Sequence, residues 1–157
     1  MRTIRILFFF SVLTFYFGTV FSQQTAYYTD IEEKIELARE LFRQEKYNSA
    51  YRQFEKIQKT VEPKSELSSE AAYFKAVSAL KAGLQSGYRM VDKFIENYPE
   101  SPYLNRAHLN LGDYYFDKKH YGAVLRSYEE LDRSALSEDE RIQVKYQNGY
   151  AHLMMDN

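Results

Sequence analysis

The 157-residue chain contains no cysteine. That absence excludes thiolate nucleophiles, iron–sulfur clusters and cysteine-ligated zinc, and it removes disulfides as a source of stability. Prolines number only three, and the six glycines are scattered singly. No phosphate-cradling loop can be built from isolated glycines, and neither G-x-S-x-G nor H-E-x-x-H occurs. An excess of one charge is lacking as well: 21 basic residues face 22 acidic ones, and no basic run exceeds Lys118-Lys119. The electrostatic footprint of a nucleic-acid binder is therefore missing.

The one long apolar run is at the N-terminus. Met1 to Ser22 opens with Arg2 and Arg5, continues through an apolar stretch from Ile6 to Phe21, and closes on Val20-Phe21-Ser22. This three-part pattern predicts a signal peptide, residues 1–22, cut before Gln23. An uncleaved anchor fits less well, because the stretch falls short of the roughly 20 residues that cross a bilayer as a helix. With no cysteine to lipidate after the cut, the expected location is the periplasm or the cell surface, or outside the cell, without membrane insertion. Residues 23–157 are expected to fold as one domain, weakly acidic and rich in Tyr. That length can bury roughly two thirds of the surface its unfolded chain exposes, so neither a structural metal nor another cofactor is needed.

From Asp30 onward β-branched residues are few, and apolar residues recur at helical spacing. The pattern predicts helices near 30–45, 48–60, 68–82, 86–97, 102–117, 120–132 and 138–155. Ile35, Leu37, Ala38, Leu41 and Phe42 form the inward stripe of the first. Thr29 or Asp30 is its expected cap, and Ser137-Glu138-Asp139-Glu140 is a capping box for the last. At the junction Tyr98-Pro99-Glu100-Ser101-Pro102, Pro99 stops one helix, Ser101 is expected to cap the next, and Pro102 to sit in its first turn.

Shifting the chain by 37 residues superposes Leu37, Phe74 and Leu111; Ala50, Gly87 and Val124; Phe54, Val91 and Tyr128; Ile57, Phe94 and Leu131; and Ala38, Gly112 and Gly149. A period that keeps side-chain size as well as polarity signals one supersecondary unit repeated. Units are expected near 31–63, 68–100 and 102–135, with a partial one over 138–157. The last helix carries Gly149 at the close-approach position, and its apolar Leu153, Met154 and Met155 suit a terminal solvating helix poorly. The pattern thus predicts a fourth unit continuing past Asn157.

These residues resemble the tetratricopeptide repeat. The first unit supplies Leu37-Ala38, Leu41, Ala50, Phe54 and Pro63; the third supplies Leu111-Gly112, Tyr115, Tyr121, Val124 and Tyr128. The second unit departs from it, with Lys75 and Ser78 where Gly and Tyr belong. There the stripe Tyr73, Ala76, Val77, Leu80 lies two residues later, which predicts a slipped helix and a shorter turn at Ala82-Gly83. The junction around Pro99 looks like that of Gram-negative envelope proteins of this class, such as outer-membrane assembly lipoproteins and the periplasmic coordinator of the Tol-Pal machinery. The resemblance implies an all-α solenoid of about three antiparallel helix pairs plus one extra helix. The function it implies is an exported scaffold binding a peptide or helix of a partner protein. The alternative is the N-terminal oligomerisation module of a longer envelope protein, hence a possible homo-oligomer.

By position in such arrays, first helices line a concave groove. That places Ile35, Arg39, Phe42 and Arg43 there, with Phe74, Ser78 and Lys81 from the second unit, Leu109, Asp113 and Phe116 from the third, and Tyr146 and Tyr150 from the last helix. Ile35, Phe42, Leu109 and Phe116 equally fit simple packing between neighbouring helices. Arg39, Arg43, Tyr146 and Tyr150 are the stronger anchors, because Arg and Tyr are common at interfaces. Arg39 stands where the family's carboxylate clamp has Asn, so chaperone-type recognition is not implied. Asp113, Asp117 and His120 lie at i, i+4 and i+7, the sole grouping that could hold a metal for a hydrolase; no fourth ligand accompanies them, and a solvated face explains them. His108 and His152 read as half-buried packing residues. No catalytic residue is expected.

Overall fold

The computed structural model describes residues 30–156. Residues 1–29, which include the expected signal peptide, its cut site and Thr29, lie outside them. Within the described residues the chain is all-helical, with no strand. Helix α1 covers 30–43. It is followed by α2 (Tyr47–Thr60), α3 (Glu66–Lys81), α4 (Gly87–Asn97), α5 (Leu104–Asp117), α6 (Tyr121–Glu129), a 3-10 turn (Arg133–Ala135) and α7 (Glu138–Met155). None of them is long and apolar enough to cross a membrane.

Each helix packs on its neighbour in sequence, and α3 also touches α5. Positions one period apart share burial: Ala50, Gly87 and Val124, then Phe54, Val91 and Tyr128, then Ile57, Phe94 and Leu131 are all buried. Their apolar area is the main source of stability, at about 2 kcal/mol for a fully buried large side chain. Small residues stand where a neighbouring backbone or ring closes in. A Cβ on Gly87 would lie 2.6 Å from the Leu80 Cα, and one on Gly112 would lie 2.1 Å from the Tyr128 ring.

Three turns end in the same way. After α1, Lys46 N–H donates to Leu41 C=O and Glu45 N–H to Phe42 C=O; after α3, Leu84 and Gly83 do so to Ala79 and Leu80; after α5, His120 and Lys119 do so to Tyr115 and Phe116. The pivot is left-handed each time, at Glu45 (φ 57°), Gly83 (φ 71°) and Lys119 (φ 60°). This paired bonding satisfies carbonyls that a helix end leaves open. Gly83 falls one place later than the period requires, and the α3–α4 connection is longer than its counterparts rather than shorter as expected: it runs over 82–86, against 44–46 and 118–120. The α3 stripe Tyr73, Ala76, Val77, Leu80 is buried as expected.

Caps explain the other boundaries. Ser65 Oγ accepts from Ser68 N–H and starts α3. The capping box Ser137/Glu140 starts α7. The link between α6 and α7 is clamped to α5: Asn105 donates to Asp132 C=O at 3.0 Å and accepts from Asp132 N–H at 2.8 Å.

Three other expectations are corrected. Ser101 does not cap α5: its Oγ takes the Tyr103 N–H in a local turn, and the helix begins at Leu104. Leu37 is not inward but 54% exposed. Its period-mates Phe74 and Leu111 meet the helices that precede their own, whereas nothing precedes α1 among the described residues. His152 is exposed on α7 rather than half-buried.

Candidate functional site

Odd-numbered helices are tied side to side by polar contacts. Between α1 and α3, Arg39 Nε donates to Glu70 Oε1 at 2.6 Å. Between α3 and α5, Asn110 donates to the Tyr73 hydroxyl at 3.3 Å. Between α5 and α7, Arg106 pairs with Glu140, and Gln143 donates to Asp113 at 2.9 Å. Partners in these contacts are 30 to 37 residues apart. A spacing near one period means that equivalent faces of α1, α3, α5 and α7 lie next to one another.

On this face the expected residues fall into two clusters. The first joins α1 and α3. Phe42 meets the Phe74 ring edge-on at 5.1 Å, and Phe74 stacks on Phe54 at 5.1 Å. Tyr103, just ahead of α5, stacks on Tyr73 at 4.8 Å and abuts Phe74 at 5.5 Å. Lys81 lies over the Tyr47 ring, 5.8 Å from its centroid. Arg39 and Arg43 are held by carboxylates. Arg39 binds Glu70 and Glu36, and Arg43 binds Glu40 at 2.8 Å with Glu36 further off.

The second cluster joins α5, α6 and α7. Phe116 is the hub, with Tyr150 at 5.7 Å, Tyr146 at 6.3 Å and Tyr121 at 6.3 Å. One turn before it, Asp113 accepts from the Tyr128 hydroxyl at 2.8 Å and from Gln143. Tyr128 also meets the Gln147 amide. Its single hydroxyl proton can serve only one acceptor at a time. Burial pushes the Asp113 carboxyl above its ordinary pKa; hydrogen bonds from Tyr128, Gln143 and Gln147 pull it down, and nearby Asp117 raises it again. Burial likewise raises the Tyr128 phenol, with Asp113 adding to the effect, and pushes Tyr73 up to about 12.

Three members of the expected groove are not at its surface. Ser78 is wholly enclosed and its Oγ has no hydrogen-bond partner. Ile35 and Leu109 are core residues, Ile35 against α2 and Leu109 against α6. Asp117 and His120 are exposed, and His120 lies against Tyr115 rather than beside Asp113. Among the described residues no three His, Asp or Glu side chains converge as metal ligands would. His108 is half-buried as expected, and burial lowers its pKa against the opposing pull of Glu130.

Glu70, Tyr103 and Tyr121 are the site residues that sequence reasoning missed. Glu70 carried a signal: it is the one charge in the run Ser69-Glu70-Ala71-Ala72, where a lone carboxylate among small residues calls for a cationic neighbour.

No family model, curated protein or solved structure matches the chain. Its own residues therefore carry the functional reading.

Proposed function

We propose that the chain is an α-solenoid of tetratricopeptide-like helix pairs, about three with a seventh helix added, and that it serves as an exported protein–protein interaction scaffold of the cell envelope. A peptide or helix of a partner protein is held on the face formed by α1, α3, α5 and α7. The carrying observation is the set of side-to-side contacts from Arg39–Glu70 to Gln143–Asp113, which supports one continuous face with aromatic clusters at both ends. Aromatic rings offer large contact area at low entropic cost, which suits a surface that works by shape rather than by chemistry on a substrate. Arg43, Lys81, Tyr146 and Tyr150 remain reachable for such a partner, whereas Phe42, Phe74 and Phe116 form the floor.

A random peptide library displayed on phage and selected on the protein tests this. Selected peptides are expected to lose about tenfold in affinity, about 1.4 kcal/mol, in Arg43→Glu and in Tyr150→Ser. Lys56→Glu on α2 is expected to bind them as well as the native chain does. Equal binding by all three variants would refute the proposed face.

A further inference from the structure

Three consecutive helices line an open cleft of about 430 Å³, a volume suited to a small molecule. Asp92 and Glu96 enter it from α4, His108 and Tyr115 from α5, and Arg126 and Ser127 from α6. The spacing of four on α4 puts its two carboxylates on one helix face. Neither α1, α3 nor α7 contributes to the cleft.

Polar side chains gathered this closely ordinarily satisfy one another, and here they do not. Asp92, Glu96, His108, Arg126 and Ser127 make no side-chain hydrogen bond or ion pair with any described residue, and the Tyr115 hydroxyl makes no hydrogen bond either. Ser127 is the most telling member. It is only 6% exposed, and hydroxyls so deeply buried normally have a partner. Ser78 is sealed off with its unmet hydroxyl, whereas Ser127 lines the cleft, where a ligand can reach it.

Opposite charges also face the cleft without closing on each other. Burial and the Asp92 charge raise the Tyr115 phenol, and Arg126 lowers it, so both charges act at that hydroxyl. No ion pair forms between them. Burial, with Glu96 adding like charge, pushes the Asp92 carboxyl above its ordinary range, as befits a carboxylate that lacks a cation. Burial lowers His108, which leaves its imidazole uncharged at neutral pH. The charges offered to a ligand are then two carboxylates and one guanidinium. The matching ligand has two cationic groups and one carboxylate. Side chains four apart on a helix have Cβ atoms about 5–6 Å apart, a separation that a chain of three or four methylenes spans.

We propose that this cleft binds a free basic α-amino acid. Its two cationic groups lie at Asp92 and Glu96. Its carboxylate takes the Arg126 guanidinium, which suits carboxylates in two-point geometry, and the Ser127 hydroxyl. Its methylenes lie on the apolar wall of Ile95, Leu111 and Ala123.

The probes are L-lysine, L-ornithine and L-arginine, each titrated calorimetrically into the full protein. Saturable one-to-one binding of at least one is expected. It should weaken about tenfold or more for the matching amine that lacks the carboxylate, for the Nα-acetylated form, and in Asp92→Asn. Arg126→Gln should bind the amino acid and its matching amine alike. Neither side chain bonds within the fold, so both variants are expected to melt as the native chain does without ligand. Arg43→Glu, which tests the separate scaffold face, should leave this affinity untouched. Absence of saturable binding by all three probes, or binding indifferent to Asp92→Asn or to Arg126→Gln, overturns the proposal. An Nα-acetylated probe bound as well as the free amino acid would overturn it in favour of the C-terminal residue of a polypeptide.

Discussion

Arg39 of α1 sets its Nε 2.6 Å and its Nη2 2.5 Å from one oxygen of Glu70 on α3, and Glu70 is only 5% exposed. Removing one partner of such a pair leaves the other buried and uncompensated, whereas removing both exchanges it for packing. Arg39→Ala is therefore expected to destabilise the fold by about 2 kcal/mol, read by urea denaturation. The double change Arg39→Met with Glu70→Leu should recover most of that loss. A cost below a few tenths of a kcal/mol for Arg39→Ala would mean that water already satisfies Glu70. The pair also means that Arg39 cannot serve as a simple probe of partner binding; Arg43, more exposed and held by surface carboxylates, can.

Gly112 and Gly149 are one period apart and should respond oppositely to the same substitution. At Gly112 a methyl group meets the Tyr128 ring, which is buried and tethered to Asp113. Gly112→Ala is expected to cost about 2 kcal/mol as overpacking. Gly149→Ala meets nothing and should stabilise by about 0.5–1 kcal/mol through helix propensity. Thermal melts of the two variants decide the matter; a shared sign would show that the two positions are not equivalent.

Ser78 is a buried hydroxyl without a partner, and such a group costs about 1–3 kcal/mol when left unsatisfied. Ser78→Ala removes the oxygen and little volume. A gain of about 1 kcal/mol is expected in denaturant unfolding, and a loss would reveal a bond that Ser78 makes in solution.

Asp113 links pH to stability. Its carboxyl titrates above the ordinary 3.8 in the folded chain because burial disfavours the charged form. The stability present while it is protonated is lost as pH rises from 3.8 through the folded value. Asp113→Asn keeps an oxygen for Tyr128 and Gln143 but removes the ionisation. Relative to the native chain, its melting temperature should therefore rise between acidic and neutral pH. A constant difference across that range would show that Asp113 is solvated.

Sequence patterning carried the helices and their ends to within three residues, because each has an identifiable stop and all but α3 have a polar side. It carried the burial of Ala50, Phe54 and Ile57 and of their period-mates for the same reason. Helix α3 hid its details. Pressed between α2, α4 and α5, it is buried almost all round, from Ser68 through Tyr73 and from Ala76 through Leu80. A helix enclosed on every side shows no polar face from which orientation can be read, so the roles of Ser78 and Glu70 emerged only with their neighbours in place. Leu37 misled for the opposite reason. Its spacing is that of a core residue, yet the contact that buries Phe74 and Leu111 comes from a preceding helix pair, and α1 has none among the described residues.

The most direct test of the scaffold reading is site-specific photocrosslinking in the producing cell. Benzoylphenylalanine is placed in turn at Arg43, Lys81 and Asp117 on odd-numbered helices and at Lys56, Lys93 and Glu129 on even-numbered ones, all exposed. The account predicts discrete adducts with one partner protein from the first three positions and none from the second three. Adducts of equal strength from both sets, or none from either, would contradict it.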